Sequence, residues 1–161
     1  MTLEPLTARH AARLFSVLSA PEIYEHLDED PPTDVNALED RYRRLERRAS
    51  PDGTEGWLNW ALRQTAKDAY LGYVQATVVD QDAEIAYVLN PSAWGQGYAA
   101  EAVTVMCAHL AVDHGVTRLT AHVAPGNTAS RALLERLGFS FVRRTTEGDL
   151  LLDRRLTRQV D

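Results

Sequence analysis

The sequence predicts an α/β (α+β) fold: a strand and helices, then three antiparallel strands, then a helix–strand–helix–strand–strand tail that starts at a glycine-rich turn. Three observations carry this reading. Aromatic and β-branched residues crowd into "WLNWALRQ", "YLGYVQATVV" and "EIAYVL", which are separated only by the polar stretches "TAKDA" and "DQDA", the pattern of a meander. Apolar residues recur at helical spacing before and after that block. Between the last of these strands and the next helix, "LNPSAWGQGYAAEA" strips the chain down to glycines and alanines.

In chain order, a short strand comes first, around Leu3–Leu6. Thr7 can cap a helix whose Leu14, Phe15, Val17 and Leu18 share one broad side before Pro21, and "PEIYEHL" reads as one further helical turn. Asp34 can cap a second amphipathic helix, with Val35, Leu38, Tyr42 and Leu45 inward and Arg41, Arg44, Arg47 and Arg48 outward. Ser50-Pro51-Asp52-Gly53 ends it. The meander begins at Trp57. A helix from about Gly97 to His114 then turns Ala99, Val103, Met106 and Leu110 to one face, and Gly115 is placed to stop it. The buried strand "RLTAHV" follows, then a helix opened by Asn127 or Thr128 and closed by Gly138, then the strand pair "FSFVRR" and "DLLLDRRL". With no internal repeat, low-complexity tract or linker, residues 1–161 are expected to form a single domain.

Composition narrows the function classes. The 161 residues are 45% hydrophobic and 25% charged, ordinary for a soluble globular protein. Seventeen basic and 23 acidic residues give a net charge of -6, so no general basic field exists to hold nucleic acid or an anionic membrane, and a cationic partner is the easier match. The single cysteine, Cys107, cannot form an internal disulfide and falls mid-helix, as a small buried hydrophobe does. Neither a signal peptide nor a run of about 18 apolar residues is present, which reads as cytoplasmic. A monomer and a homodimer both fit.

The stripped turn suits a phosphate. A backbone with little Cβ cover allows close approach, and a helix starting near Gly97 offers unpaired N–H groups and a dipole worth roughly +0.5 charge. Gly95, Gln96, Gly97, Tyr98 and Ala99 would bind through their backbone; the plainer reading is a tight strand-to-helix turn. "GQGYAA" also matches the dinucleotide fingerprint G-x-G-x-x-A. That fingerprint wants an acidic residue about 20 positions on, at the end of the next strand, where this chain has Thr120 and His122. The upstream strands also read as a meander and not as βαβ units, which argues against nicotinamide or flavin.

This element order, with "NPSAWGQGYAAEA" and "NTASRALLERLGF" separated by one helix and one strand, resembles the GNAT superfamily of acyl-CoA-dependent N-acetyltransferases. The two motifs look most like those of the branch that includes the ribosomal-protein N-terminal amine acetyltransferases. The resemblance spans nearly the whole chain. It implies a central, mixed, mostly antiparallel twisted sheet of about six to seven strands with about four flanking helices, acetyl-CoA as cosubstrate, and no metal. It places coenzyme A against Val88, Leu89 and the 95–99 loop, gives Asn127 the pantetheine amides, and offers Arg131 to the nucleotide phosphates, although a helix arginine is also commonly just solvated. Two positions depart from the superfamily pattern. Trp94 stands where the loop usually has Gln or Arg, and Leu134 stands where many members carry the tyrosine that protonates the departing thiolate.

Acetyl transfer needs a neutral amine, a stabilised oxyanion and a proton for the thiolate. Glu84 lies at the start of the strand that runs into the loop, where many members place a carboxylate base; a solvated charge after a turn is the alternative. His122 is the second candidate base, with a pKa suited to neutrality, or else a histidine packed at a strand end. With Leu134 in the tyrosine's place, Ser130 is the nearest hydroxyl for the thiolate, or a helix-capping residue. Eight acidic residues and no Lys or Arg lie between Glu22 and Asp40, on the side where the family forms its acceptor site. They can attract an ammonium group or simply be solvated. The acceptor is expected to be a small-molecule or peptide amine, including a protein N-terminus. A catalytically silent acyl-CoA-binding module of the same fold is the alternative.

Overall fold

The computed structural model describes residues 1–157. Seven strands form one sheet: β1 (Thr2–Pro5), β2 (Gly56–Gln64), β3 (Ala69–Val79), β4 (Asp82–Leu89), β5 (Arg118–Val123), β6 (Ser140–Arg144) and β7 (Leu150–Arg155). Their order is β1-β2-β3-β4-β5-β7-β6. Every neighbouring pair is antiparallel except β4 and β5. The exception follows from connectivity, because helix α3 (Tyr98–His114) carries the chain back across the sheet and so returns β5 in the same direction as β4.

The alternation of side chains along the strands builds two cores. Leu58, Trp60 and Leu62 of β2, Ile85 and Leu89 of β4, and Leu119, Ala121 and Val123 of β5 pack with Val103, Met106 and Leu110 of α3 and with Leu134 of α4 (Thr128–Arg136). On the other face Ala61 and Val88 pack with Leu14 of α1 (Ala11–Val17) and Leu38 and Tyr42 of α2 (Val35–Leu45). Neighbouring Val88 and Leu89 therefore serve opposite cores, the period-two signature of a strand buried on both sides.

Helix ends follow local chemistry, with some departures from expectation. Asp34 caps α2 by accepting from the Ala37 N–H at 2.7 Å, but α2 stops at Leu45 and not near Ser50. Beyond it Arg48 takes a left-handed φ of 57° and Ala49 bridges to Gly56. Thr7 opens a single 3₁₀ turn, Ala8–His10, before α1. Its N–H donates to His10 Nδ1 at 2.9 Å, so the ring's other nitrogen carries the proton and donates to Glu4 at 3.0 Å. "PEIYEH" is 3₁₀ throughout. Gly97 and Gly115 bound α3, both in left-handed conformation.

One close approach shapes β4. At Gly72 an added Cβ would sit 2.0 Å from the Val88 carbonyl oxygen, so only glycine lets β3 and β4 come together there.

Candidate active site

β4 and β5 pair only over Asp82–Glu84 and Arg118–Thr120; past that point β4 runs on to Leu89 and β5 to Val123 without pairing to each other. This leaves a notch in the middle of the sheet whose walls are strand edges with free backbone groups. A cavity of about 570 Å³ lies along it, bounded by Tyr87, Val88 and Leu89 of β4, Trp94–Gly95 and Gly97–Ala100 of the loop and α3, and Gly126–Ser130 at the start of α4.

The loop is braced so that its backbone faces this space. Asn90 anchors it by donating from its side-chain amide to the Val17 carbonyl at 2.8 Å and accepting from the Ser92 N–H at 3.0 Å. The Trp94 indole N–H donates to the Leu89 carbonyl at 2.9 Å, while its ring stays 52% exposed beside the cavity. Gln96 is tied back to the Ser92 carbonyl, and the Tyr98 hydroxyl accepts from Gln64. Gly97, with φ of 84°, has open space where a Cβ would be, and no side chain caps the α3 N-terminus. The first N–H groups of α3 thus point into open volume, which is what a pyrophosphate requires.

Asn127 Oδ1 accepts from the Ser130 N–H at 3.2 Å, capping α4 and leaving its NH₂ for a ligand. Ser130 Oγ stands 2.6 Å from the Tyr87 hydroxyl, and both residues line the cavity. Burial pushes the Tyr87 phenol above its usual pKa, with the Ser130 hydrogen bond opposing that rise. Leu134 is fully buried among the α3 residues, so the departure from the family's tyrosine fills a core position. Arg131 bonds Glu135 at 2.9 Å and lies over the Phe141 ring; the basic side chain bounding the cavity is Arg136. Tyr87 and Arg136 were not singled out from sequence as site residues. For Tyr87 a signal existed, since strand periodicity puts it on the same face as Leu89, two residues before the loop.

Glu84 and His122 meet on the opposite face. Glu84 pairs with Thr77 of β3 and Thr120 of β5, the third residue of a strand that begins at Asp82, and so does not merely end a turn. Its Oε1 lies 4.0 Å from His122 Nε2, with both side chains about half exposed. On that face of the sheet a second cavity of about 240 Å³ opens between α2 and the strands, bounded by Asn59, Tyr73 and Gln75 and by Glu29 and Asp30. The acidic stretch divides between the two cavities: Glu22 and Glu25 border the larger one, and Glu29 and Asp30 the smaller, where Arg41 approaches Glu29 at 3.8 Å. Among the described residues, no group of three or more His, Cys, Asp or Glu side chains is placed to hold a metal ion, and no helix is long and apolar enough to cross a membrane.

Comparison with known proteins agrees with this geometry. A family model described as an acetyltransferase (GNAT) domain matches residues 1–140. An uncharacterized N-acetyltransferase p20 from Bacillus licheniformis is 31% identical over 147 residues, covering 86% of this chain and 78% of that protein. Among solved structures, spermidine N-acetyltransferase from Vibrio cholerae, in complex with CoA and spermine, superposes with a TM-score of 0.77 at 17% identity, over 94% of this chain and 92% of that one. An acetyltransferase from Thermus thermophilus gives 0.75 at 22% identity, over 96% of each chain.

Proposed function

The chain belongs to the acetyltransferase (GNAT) family, and from that premise we propose that it moves an acetyl group from acetyl-CoA to a primary amine by direct attack in a ternary complex. The observation that carries this is the notch between β4 and β5. It has a phosphate-ready helix N-terminus and a hydroxyl pair on one face of the sheet and a carboxylate–imidazole pair on the other, so donor and acceptor can meet from opposite sides.

The residues fit coenzyme A. Backbone N–H groups at the start of α3 would hold the pyrophosphate, Arg136 lies where it can meet a nucleotide phosphate, and the strand edge at Val88 and Leu89 with the Asn127 amide offers partners to an amide-bearing arm. The acceptor nitrogen approaches over Glu84, which takes its proton directly or through water with His122 beside it. Its lone pair forms the C–N bond to the carbonyl carbon. The C–S bond breaks with both electrons on sulfur, and the proton released by nitrogen restores the thiol.

The acceptor amine is a peptide or protein N-terminus, as in the ribosomal-protein N-terminal amine branch, or a small-molecule amine. An α-amine with pKa about 7.7–8.0 needs far less help than a lysine near 10.4, whose deprotonation at neutral pH costs about 3.5 kcal/mol more. A half-exposed carboxylate suits the easier task. The reaction is assigned to the cytoplasm and to one domain spanning residues 1–161. Thiol release from acetyl-CoA across a panel of N-terminal peptides, amino acids, polyamines and other amines tests the reading. Turnover with at least one is expected; saturable acetyl-CoA binding with no turnover for any would assign the fold to a silent acyl-CoA-binding module.

A further inference from the structure

We infer that Tyr87 is a positioning residue that, from strand β4, aims the Ser130 hydroxyl proton at the thioester sulfur, so that Ser130 is the hydroxyl that stabilises the departing thiolate in a chain with Leu134 in the tyrosine's place. This rests on the reading that coenzyme A occupies the larger cavity.

The geometry begins with the 2.6 Å contact between the two hydroxyl oxygens, with the Ser130 carbonyl oxygen 3.4 Å from the same phenol. Either hydroxyl of the pair is able to donate; the phenol is the far stronger acid and also faces the Ser130 carbonyl oxygen, which can only accept, and we take Tyr87 as the donor. Ser130 lies in the first turn of α4, where a serine hydroxyl can otherwise bond locally to backbone at the helix start. Accepting from Tyr87 fixes the oxygen's lone pairs toward β4 and leaves its own proton available to the cavity. Tyr87 is itself held: its ring packs against the core beneath β4, and its neighbours Ala86 and Val88 are paired to β3. The hydroxyl pair is therefore mounted on a strand and a helix rather than on a loop, which favours a fixed direction. When the C–S bond breaks and sulfur keeps the electron pair, the Ser130 hydrogen bond stabilises that thiolate without transferring its proton. Net protonation still comes from the acceptor nitrogen by way of Glu84 and water.

A donor aimed at sulfur must lower the pKa of the thiol of bound coenzyme A, and this can be read without any acceptor, from thiolate absorbance of the binary complex titrated against pH. Hydrogen bonds to charged groups are worth enough that Ser130→Ala should raise that pKa by about 1 pH unit or more. Tyr87→Phe, which keeps the ring and its packing, should raise it by a large part of the same amount, and the double variant should match Ser130→Ala alone. Thermal melting should stay near wild type in all three, and the thiol pKa should move further than the calorimetric affinity for coenzyme A. A Tyr87→Phe complex with a wild-type thiol pKa overturns the inference. So does a shift with Tyr87→Phe but none with Ser130→Ala, which would make the phenol the direct donor. Failure of wild-type protein to bind coenzyme A at all would overturn the cofactor reading instead, and this inference with it.

Discussion

Glu84 shows how much a single residue's role depends on where its strand begins. From sequence it sits at a strand start beside an acidic turn; in the structure it is paired on both sides and stands 4.0 Å from His122, so the two candidate bases are one constellation. A positioned base is typically worth about 10²- to 10⁴-fold, and Glu84→Gln should lower kcat/KM for the best amine within that range. Raising the pH from 6 to 9 should recover part of the loss, because more amine arrives neutral. Unchanged turnover across that range would remove Glu84 from the chemistry. The placements legible from sequence were those set by local backbone: Gly95 and Gly97 take left-handed conformations in the turn before α3, and Asn127 caps α4. Those that depend on side-chain direction were not. Arg131 and Arg136 differ by five positions on one helix, and only the folded helix shows that the first bonds Glu135 while the second bounds the cavity.

At the scale of elements, β3 and β4 form the wall on which the site is built, and Gly72 is the point where they touch most closely. A Cβ there would meet the Val88 carbonyl oxygen at 2.0 Å, a contact that backbone on both sides must move to relieve. Gly72→Ala should therefore destabilise the fold by about 3 kcal/mol, at the upper end for overpacking, read as a lowered melting temperature. It should also weaken coenzyme A binding, since Val88 bounds the cavity; a variant that melts and binds like wild type would show that the strands part easily here. The strands themselves were readable from their aromatic and β-branched runs. The bulge at Leu62/Arg63, opposite Leu71, was not, because it changes which face β3 shows without changing its composition. Helix α2 was overextended for a related reason: its arginine-rich end continues the amphipathic pattern past Leu45, and only the Ala49–Gly56 bridge reveals that the chain has already turned toward the sheet.

For the molecule as a whole, the first strand is tied in by charge as well as by pairing. The Glu4 carboxyl accepts from the His10 ring at 3.0 Å and from the Tyr70 hydroxyl at 2.7 Å, joining β1, the first helical turn and β3. The His10 hydrogen bond, with Tyr70 and the nearby Arg63, holds this carboxyl below its usual pKa despite partial burial. Its contribution is then complete above the unfolded carboxylate value near 4.3 and is lost as pH falls through the lower, folded value. Melting temperature should drop more steeply below pH 4.5 in wild type than in Glu4→Gln; parallel slopes would assign the acid sensitivity elsewhere. The order of the sheet, with β7 between β5 and β6, had no local signal in the sequence, since it is decided by which edges the last hairpin can reach once β4 and β5 diverge. That divergence has a kinetic counterpart. Peptide hydrogens of residues 85–89 that do not point at β3 lack a strand partner, so in deuterated water they should trade with solvent quickly while their β3-bonded neighbours stay protected. Adding coenzyme A should slow that first set selectively, giving the middle of the sheet the protection that a strand partner would otherwise supply.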